Sequence, residues 1–201
     1  MANYLEGKRM MTTLKVKPRV VRAVSVLEGS TVYLRKIVLF DVNANYYRWM
    51  NDPEVAQFLE VRHTRRSLKD LREYVASIIE RKEDAFFAIC LNETGRHIGN
   101  VKLGPINRDH RFAHIGFLIG EREFWKQGIA TEVVNIVTRY AFETLKLHKV
   151  LAGCYANNLA SLRVFKKTGF KKEGVQESQW LCDGKHIDGI LLAKINPHDK
   201  K

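Results

Sequence analysis

Cysteine is scarce in this chain. Cys90, Cys154 and Cys182 are the only three, and none forms a CxxC pair. Their odd number excludes a disulfide framework and points to a reducing, cytosolic setting. Cys90 and Cys154 sit in apolar runs and read as small core residues. Long hydrophobic runs are missing as well. No stretch approaches the roughly 20 apolar residues of a bilayer span, and Met1 to Arg9 lacks an apolar signal core, so no membrane role is expected. His, Cys and carboxylates show no metal-ligand spacing, so no metal is expected. There is no internal repeat, no low-complexity segment and no nucleic-acid motif, which argues against a nucleic-acid partner.

What is present is a chain of 201 residues, 45% hydrophobic, with a formal net charge of +12. The length suits one domain with a tail. The charge attracts polyanions, and phosphate-bearing cofactors are among them. Residues 1–30 are basic and lack periodicity. They read as an extension, with a short strand around Arg19 to Val26. Residues 31–195 form the expected domain, and residues 196–201 a tail.

Within that domain, Thr31 to Ile37 alternates as a strand. Asp41 is placed to cap a helix through Asn51, and Asp52-Pro53 to break it and begin a short second one. Ser67 caps a helix running to about Lys82, with Leu68, Leu71, Val75 and Ile78 at helical spacing. Ala85–Leu91 and Arg96–Leu103 flank a glycine turn and predict a hairpin, followed by a strand over Phe112–Ile119. A long helix is expected from Gly128 to Leu145, then a strand over Val150–Tyr155. A short helix follows over Leu159–Lys167, capped by Gly169, and then two strands joined at Asp183-Gly184. The expected class is α/β (α+β), a mixed, mostly antiparallel sheet with helices on both faces.

Two segments carry chemistry. The first, Trp125-Lys-Gln-Gly-Ile-Ala130, turns from strand into helix. Free N–H groups at a helix start bind phosphate, helped by the helix dipole and by Lys126. The second, Asn158-Leu-Ala-Ser161 followed by Lys167-Thr-Gly-Phe170, is a capped short helix.

Together these segments resemble the GNAT superfamily of acetyltransferases, closest to the branch of ribosomal-protein N-terminal acetyltransferases. That branch reads Trp-Gly-Lys-Gly-Tyr-Ala, then Asn-x-x-Ser and Lys-x-Gly-Phe. Trp49-Met-Asn-Asp-Pro-Glu-Val55 and the Asp183-Gly184 hairpin add to the resemblance, which covers about residues 31–195. It implies acetyl-CoA as co-substrate. Phe117, Leu118 and Ile119 would pair with pantetheine. Lys126, Gln127, Gly128, Ile129, Ala130 and Thr131 would hold the pyrophosphate, and Asn158 and Ser161 would line the coenzyme. In two places the chain departs from the pattern. Lys126 replaces a glycine, which costs about 1 kcal/mol if φ is positive there. Phe165 replaces the tyrosine that serves many relatives as general acid, and it reads as core packing.

Acetyl transfer needs a neutral amine, so a base or water chain must remove a proton. His114, on the strand before the phosphate turn, is the first candidate base. Tyr155 is the second catalytic candidate. His97, His110 and His148 read as solvent-facing, and Glu121 and Glu123 as a solvated acidic border of the turn. The acceptor is a small-molecule or protein amine. The favoured acceptor is an amino group of a nucleotide-linked sugar, whose diphosphate would suit the net positive charge and the basic segment Arg62-His63-Thr64-Arg65-Arg66. A protein N-terminus and an antibiotic-type small amine stay open, as does a catalytically inactive coenzyme-binding protein. A polyamine fits the positive charge least, and a homodimer is compatible with the chain.

Overall fold

The computed structural model describes residues 26–81 and 83–199. The expected strand at Arg19–Val26 lies outside them, apart from Val26 itself. One eight-stranded sheet runs through the described chain in the order β1-β2-β3-β4-β5-β6-β8-β7. Its strands are β1 (Val26–Glu28), β2 (Val32–Lys36), β3 (Ala85–Leu91), β4 (His97–Asn107), β5 (Phe112–Ile119), β6 (Lys149–Tyr155), β7 (Lys171–Cys182) and β8 (Lys185–Ile195). Every neighbouring pair is antiparallel except β5 and β6. The helices are α1 (Ala44–Asn51), α2 (Pro53–Ala56), α3 (Leu68–Glu80), α4 (Ile129–Arg139) and α5 (Leu159–Lys167).

Strand alternation sends neighbouring side chains to opposite faces, and both faces are covered. Phe117 packs into the larger apolar cluster, built from the sheet, α4 and α5 around Leu103, Val133 and Phe165. Its neighbour Leu118 packs into a smaller one around Tyr46, Trp49, Leu71 and Val75 of α1 and α3. Phe165 is 3% exposed and packs on the rings of Phe117 and Phe170, the packing role read from the sequence.

The helix starts follow capping chemistry. Ser67 Oγ accepts from Asp70 N at 3.1 Å while Asp70 Oδ2 accepts from Ser67 N at 2.8 Å, a reciprocal box. Asp41 does not cap α1. Asn43 does, accepting from the amides of Asn45 at 2.9 Å and Tyr46 at 3.3 Å. Asp41 is buried one turn earlier, where Arg35 grips both its oxygens at 2.7 and 2.6 Å. The long helix after Gly128 also differs from expectation. Regular α geometry ends at Arg139, and Tyr140–Thr144 form a π turn.

The feature that makes the site is a fork in the sheet. β5 and β6 pair only over Phe112–His114 and Lys149–Leu151. Beyond that point β5 stays with β4 and β6 stays with β8, so a wedge opens between them.

Candidate active site

At the wide end of the fork the chain passes from β5 to α4 through a tightly held turn. Gly120 lies so close to Trp49 that a Cβ there would come within 2.1 Å of the indole. Trp125 Nε1 donates back to Ile119 O at 2.8 Å, and Gln127 Nε2 to Glu123 O at 2.6 Å. Glu121 is buried, not solvated as its sequence context suggests. Its carboxylate accepts from Arg48 at 2.5 Å and from Trp49 Nε1 at 2.9 Å, and it pairs with Arg96 at 2.9 Å. These contacts tie the turn to α1 and β4.

The turn then takes two left-handed steps, Lys126 at φ 62° and Gly128 at φ 85°. The lysine therefore does sit where a glycine would be unstrained, at a cost of about 1 kcal/mol. Among the described residues no acceptor meets the amides of residues 126–131. Free amides, the α4 dipole and the Lys126 ammonium converge, which is the chemistry that holds an anion. Glu132, one turn into α4, accepts from Thr31 N at 2.8 Å and Ser30 Oγ at 3.1 Å, bracing this end against the β1–β2 turn.

A cleft of about 850 Å³ runs from that turn through the fork. Phe117, Leu118 and Ile119 line it, as do Lys126 and Gly128 to Thr131, with Asn158 and Ser161 on the opposite wall. Gln127 lies in the same turn but outside the lining. Asn158 Oδ1 accepts from Ser161 N at 3.1 Å, so it caps α5 while facing the cleft. Arg163 and Lys167 add cations on that wall.

The far half of the cleft has a different character. Tyr155, 5% exposed, ends β6 between the rings of Phe58 and Trp180. Its hydroxyl donates to Glu60 Oε1 and accepts from Arg62 Nη1 at 2.7 Å. Arg62 also donates to Leu181 O at 2.8 Å and covers the Tyr155 ring at 4.8 Å. Burial, then the bond to Glu60, pushes the Tyr155 phenol above its usual range. Asn100 and Lys102 of β4 line this half too, and Lys102 faces Asp84 at 3.8 Å.

His114 is not brought into this group. It is exposed, rests edge-on against Phe112, and is absent from the cleft lining; partial burial lowers its pKa. His97 is turned inward, against the solvent-facing expectation, with Trp49 edge-on to it at 5.0 Å. His148 is held by Asp199 at 2.5 Å. Burial of Cys154 in the cleft wall pushes its thiol up to about 11, the behaviour of an unreactive core thiol. Sequence reasoning missed Glu60, Asn100 and the inward His97. None of them sits in a motif, and only the pairing of distant elements reveals them.

Comparison with known proteins fits this geometry. A family model described as an acetyltransferase (GNAT) domain matches residues 31–171. The probable N-acetyltransferase YjcK of Bacillus subtilis is 31% identical over 186 residues, 88% of this chain and 100% of that protein. The spermidine N(1)-acetyltransferase of Escherichia coli is 29% identical over 161 residues, covering 80% of this chain and 79% of its own. Among solved structures, a ribosomal L7/L12 α-N-protein acetyltransferase with coenzyme A superposes with a TM-score of 0.78 at 20% identity, covering 87% of this chain and 100% of that one. A Vibrio cholerae spermidine N-acetyltransferase with coenzyme A and spermine gives 0.76 at 22%, covering 84% and 97%. The chain belongs to the GNAT acetyltransferases. It is an acetyl-CoA-dependent N-acetyltransferase, and acetyl-CoA is its co-substrate.

Proposed function

We propose that acetyl-CoA lies along β5 with its pyrophosphate on the amides of residues 126–131, and that the acceptor is the α-amine of a protein N-terminus. The observation that carries the acceptor is the make-up of the far half of the cleft. It has aromatic walls and an exposed carboxylate, Glu60, and among the described residues no histidine lines it. A lysine-type amine, with a pKa of about 10.4, would need a strong base. A protein α-amine, at about 7.7–8.0, is already partly neutral at cell pH. A site without an imidazole therefore suits the second far better.

In this reading the ammonium gives its proton to water beside Glu60. The nitrogen then attacks the thioester carbon, the C–N bond forms, the C–S bond breaks, and the coenzyme leaves as its thiol, taking up the proton that the nitrogen sheds on becoming an amide. Tyr155, held protonated by its surroundings, links this cleft to Glu60 through its hydroxyl and is the proton relay of this reading. Lys102 in the cleft lining argues against a polyamine, although the carboxylates Glu54 and Glu60 line the cleft as well.

A nucleotide-linked amino sugar is the second reading, favoured by Lys102 in the acceptor half. Its other support weakens, since Arg62 is committed to Tyr155 and Leu181, and Arg65 reaches the Tyr47 hydroxyl at 3.3 Å. A cytosolic setting accords with the three unpaired cysteines.

Thiol release from acetyl-CoA over a panel of amines tests the assignment. N-terminal peptides should give the highest kcat/KM. A higher value for spermidine or for a nucleotide amino sugar would overturn the peptide reading.

A further inference from the structure

Asn100 is 5% exposed, lines the cleft, and is paired in register with Leu118. Its Nδ2 is buried and has no hydrogen-bond partner. A buried amide donor left unmet is costly, so such a group in a substrate cleft points to a ligand acceptor.

The orientation of this amide follows from its neighbour. His97 Nε2 lies 2.9 Å from Gly99 O and 3.0 Å from Asn100 Oδ1. A backbone carbonyl only accepts, so Nε2 must carry the hydrogen. The side-chain oxygen of Asn100 therefore faces the imidazole, and its NH2 group faces away. His97 is itself fixed. Trp49 packs edge-on against it, and its Nδ1 lies 3.8 Å from Asp41, which Arg35 grips with two hydrogen bonds. A chain of contacts thus runs from a buried ion pair to a single unmet donor at the cleft.

We propose that Asn100 Nδ2 donates a hydrogen bond to a substrate oxygen, and that His97 is the residue that positions it. The acceptor is a carbonyl-type oxygen, supplied either by the thioester or by the amine-bearing molecule. The proposal rests on acetyl transfer in this cleft and not on which amine is taken.

The test uses Asn100→Leu, which keeps size and removes the donor, with the amine that the intact enzyme turns over best. If the thioester oxygen is the partner, kcat falls by about tenfold or more with the acceptor KM unchanged. If the acceptor molecule is the partner, its KM rises by a similar factor while kcat holds. Either result supports the donor. Should Asn100→Leu fold poorly, Asn100→Ala removes the donor without adding bulk or charge and gives the same readout. A folded variant with unchanged kcat and both KM values unchanged overturns the proposal.

His97→Phe should reproduce the loss, and the double variant should be no worse than Asn100→Leu alone. His97→Gln, which keeps a donor, should recover part of the rate. Full additivity would overturn the positioning role. An intact enzyme that acetylates no amine would refute the proposed function, a result distinguishable from all of these.

Discussion

At the scale of single residues, two side chains sit under opposing demands. Lys126 supplies a cation to the phosphate turn but occupies a left-handed conformation. Lys126→Gly should therefore raise stability by up to about 1 kcal/mol in denaturant unfolding. The same change should weaken acetyl-CoA binding in calorimetry, and most at low salt, because an exposed charge is screened as ionic strength rises. Tyr155 joins Glu60 and Arg62 and lines the cleft, in the half proposed to take the acceptor. Tyr155→Phe should lower turnover by about 10²-fold, the scale of a lost proton-transfer group, with acetyl-CoA affinity retained. His114→Ala is the companion measurement. The imidazole lies outside the lining, so turnover close to that of the intact enzyme is expected; a matching drop would return it to the site.

At the scale of elements, the phosphate turn depends on the buried Glu121 carboxylate and its three donors. Glu121→Ala leaves Arg48, Arg96 and the Trp49 N–H without it. With both arginines half exposed, the main cost is the unmet Trp49 N–H, so the change should destabilise the protein by about 1–3 kcal/mol and loosen acetyl-CoA binding, as read by thermal unfolding and calorimetry together.

The strands, α3 and α5 were legible because their signals are local: alternation, a Ser–Asp capping box, a glycine after the last turn. The turn proposed to hold the pyrophosphate was legible as a strand-to-helix step with small residues. Glu121 was misread because its partners lie on α1 and β4, and sequence spacing carries no information about pairs that distant. Asp41 was misread for a related reason. Two capping side chains stand two residues apart, and the arginine of β2 claims the first. The acceptor half was the least legible part. Glu60, Asn100 and Tyr155 come from three separate segments that meet only because β5 and β6 diverge.

At the scale of the whole molecule, the ion pair and imidazole beneath the sheet make stability sensitive to acid. Burial lowers the His97 pKa below its ordinary 6.5. Burial alone would raise the Asp41 carboxyl, but Arg35 and the Val38 amide outweigh it and hold the group below its usual value. In both cases the unfolded chain binds the proton more readily. Stability is therefore complete above about pH 6.5 and falls first as His97 is driven to protonate, then again below about pH 4 as Asp41 does. Denaturant unfolding across pH should show this two-stage decline, and His97→Gln should reduce the upper stage to the share of His114, whose pKa partial burial also lowers, while leaving the lower.

The net charge of +12 acts at the same scale, drawing a polyanionic coenzyme toward the molecule. The most direct measurement of the account is calorimetric titration of the folded protein with acetyl-CoA at two salt concentrations. One site that weakens as salt rises is the predicted result. The absence of any heat of association, in protein that unfolds cooperatively, would contradict it.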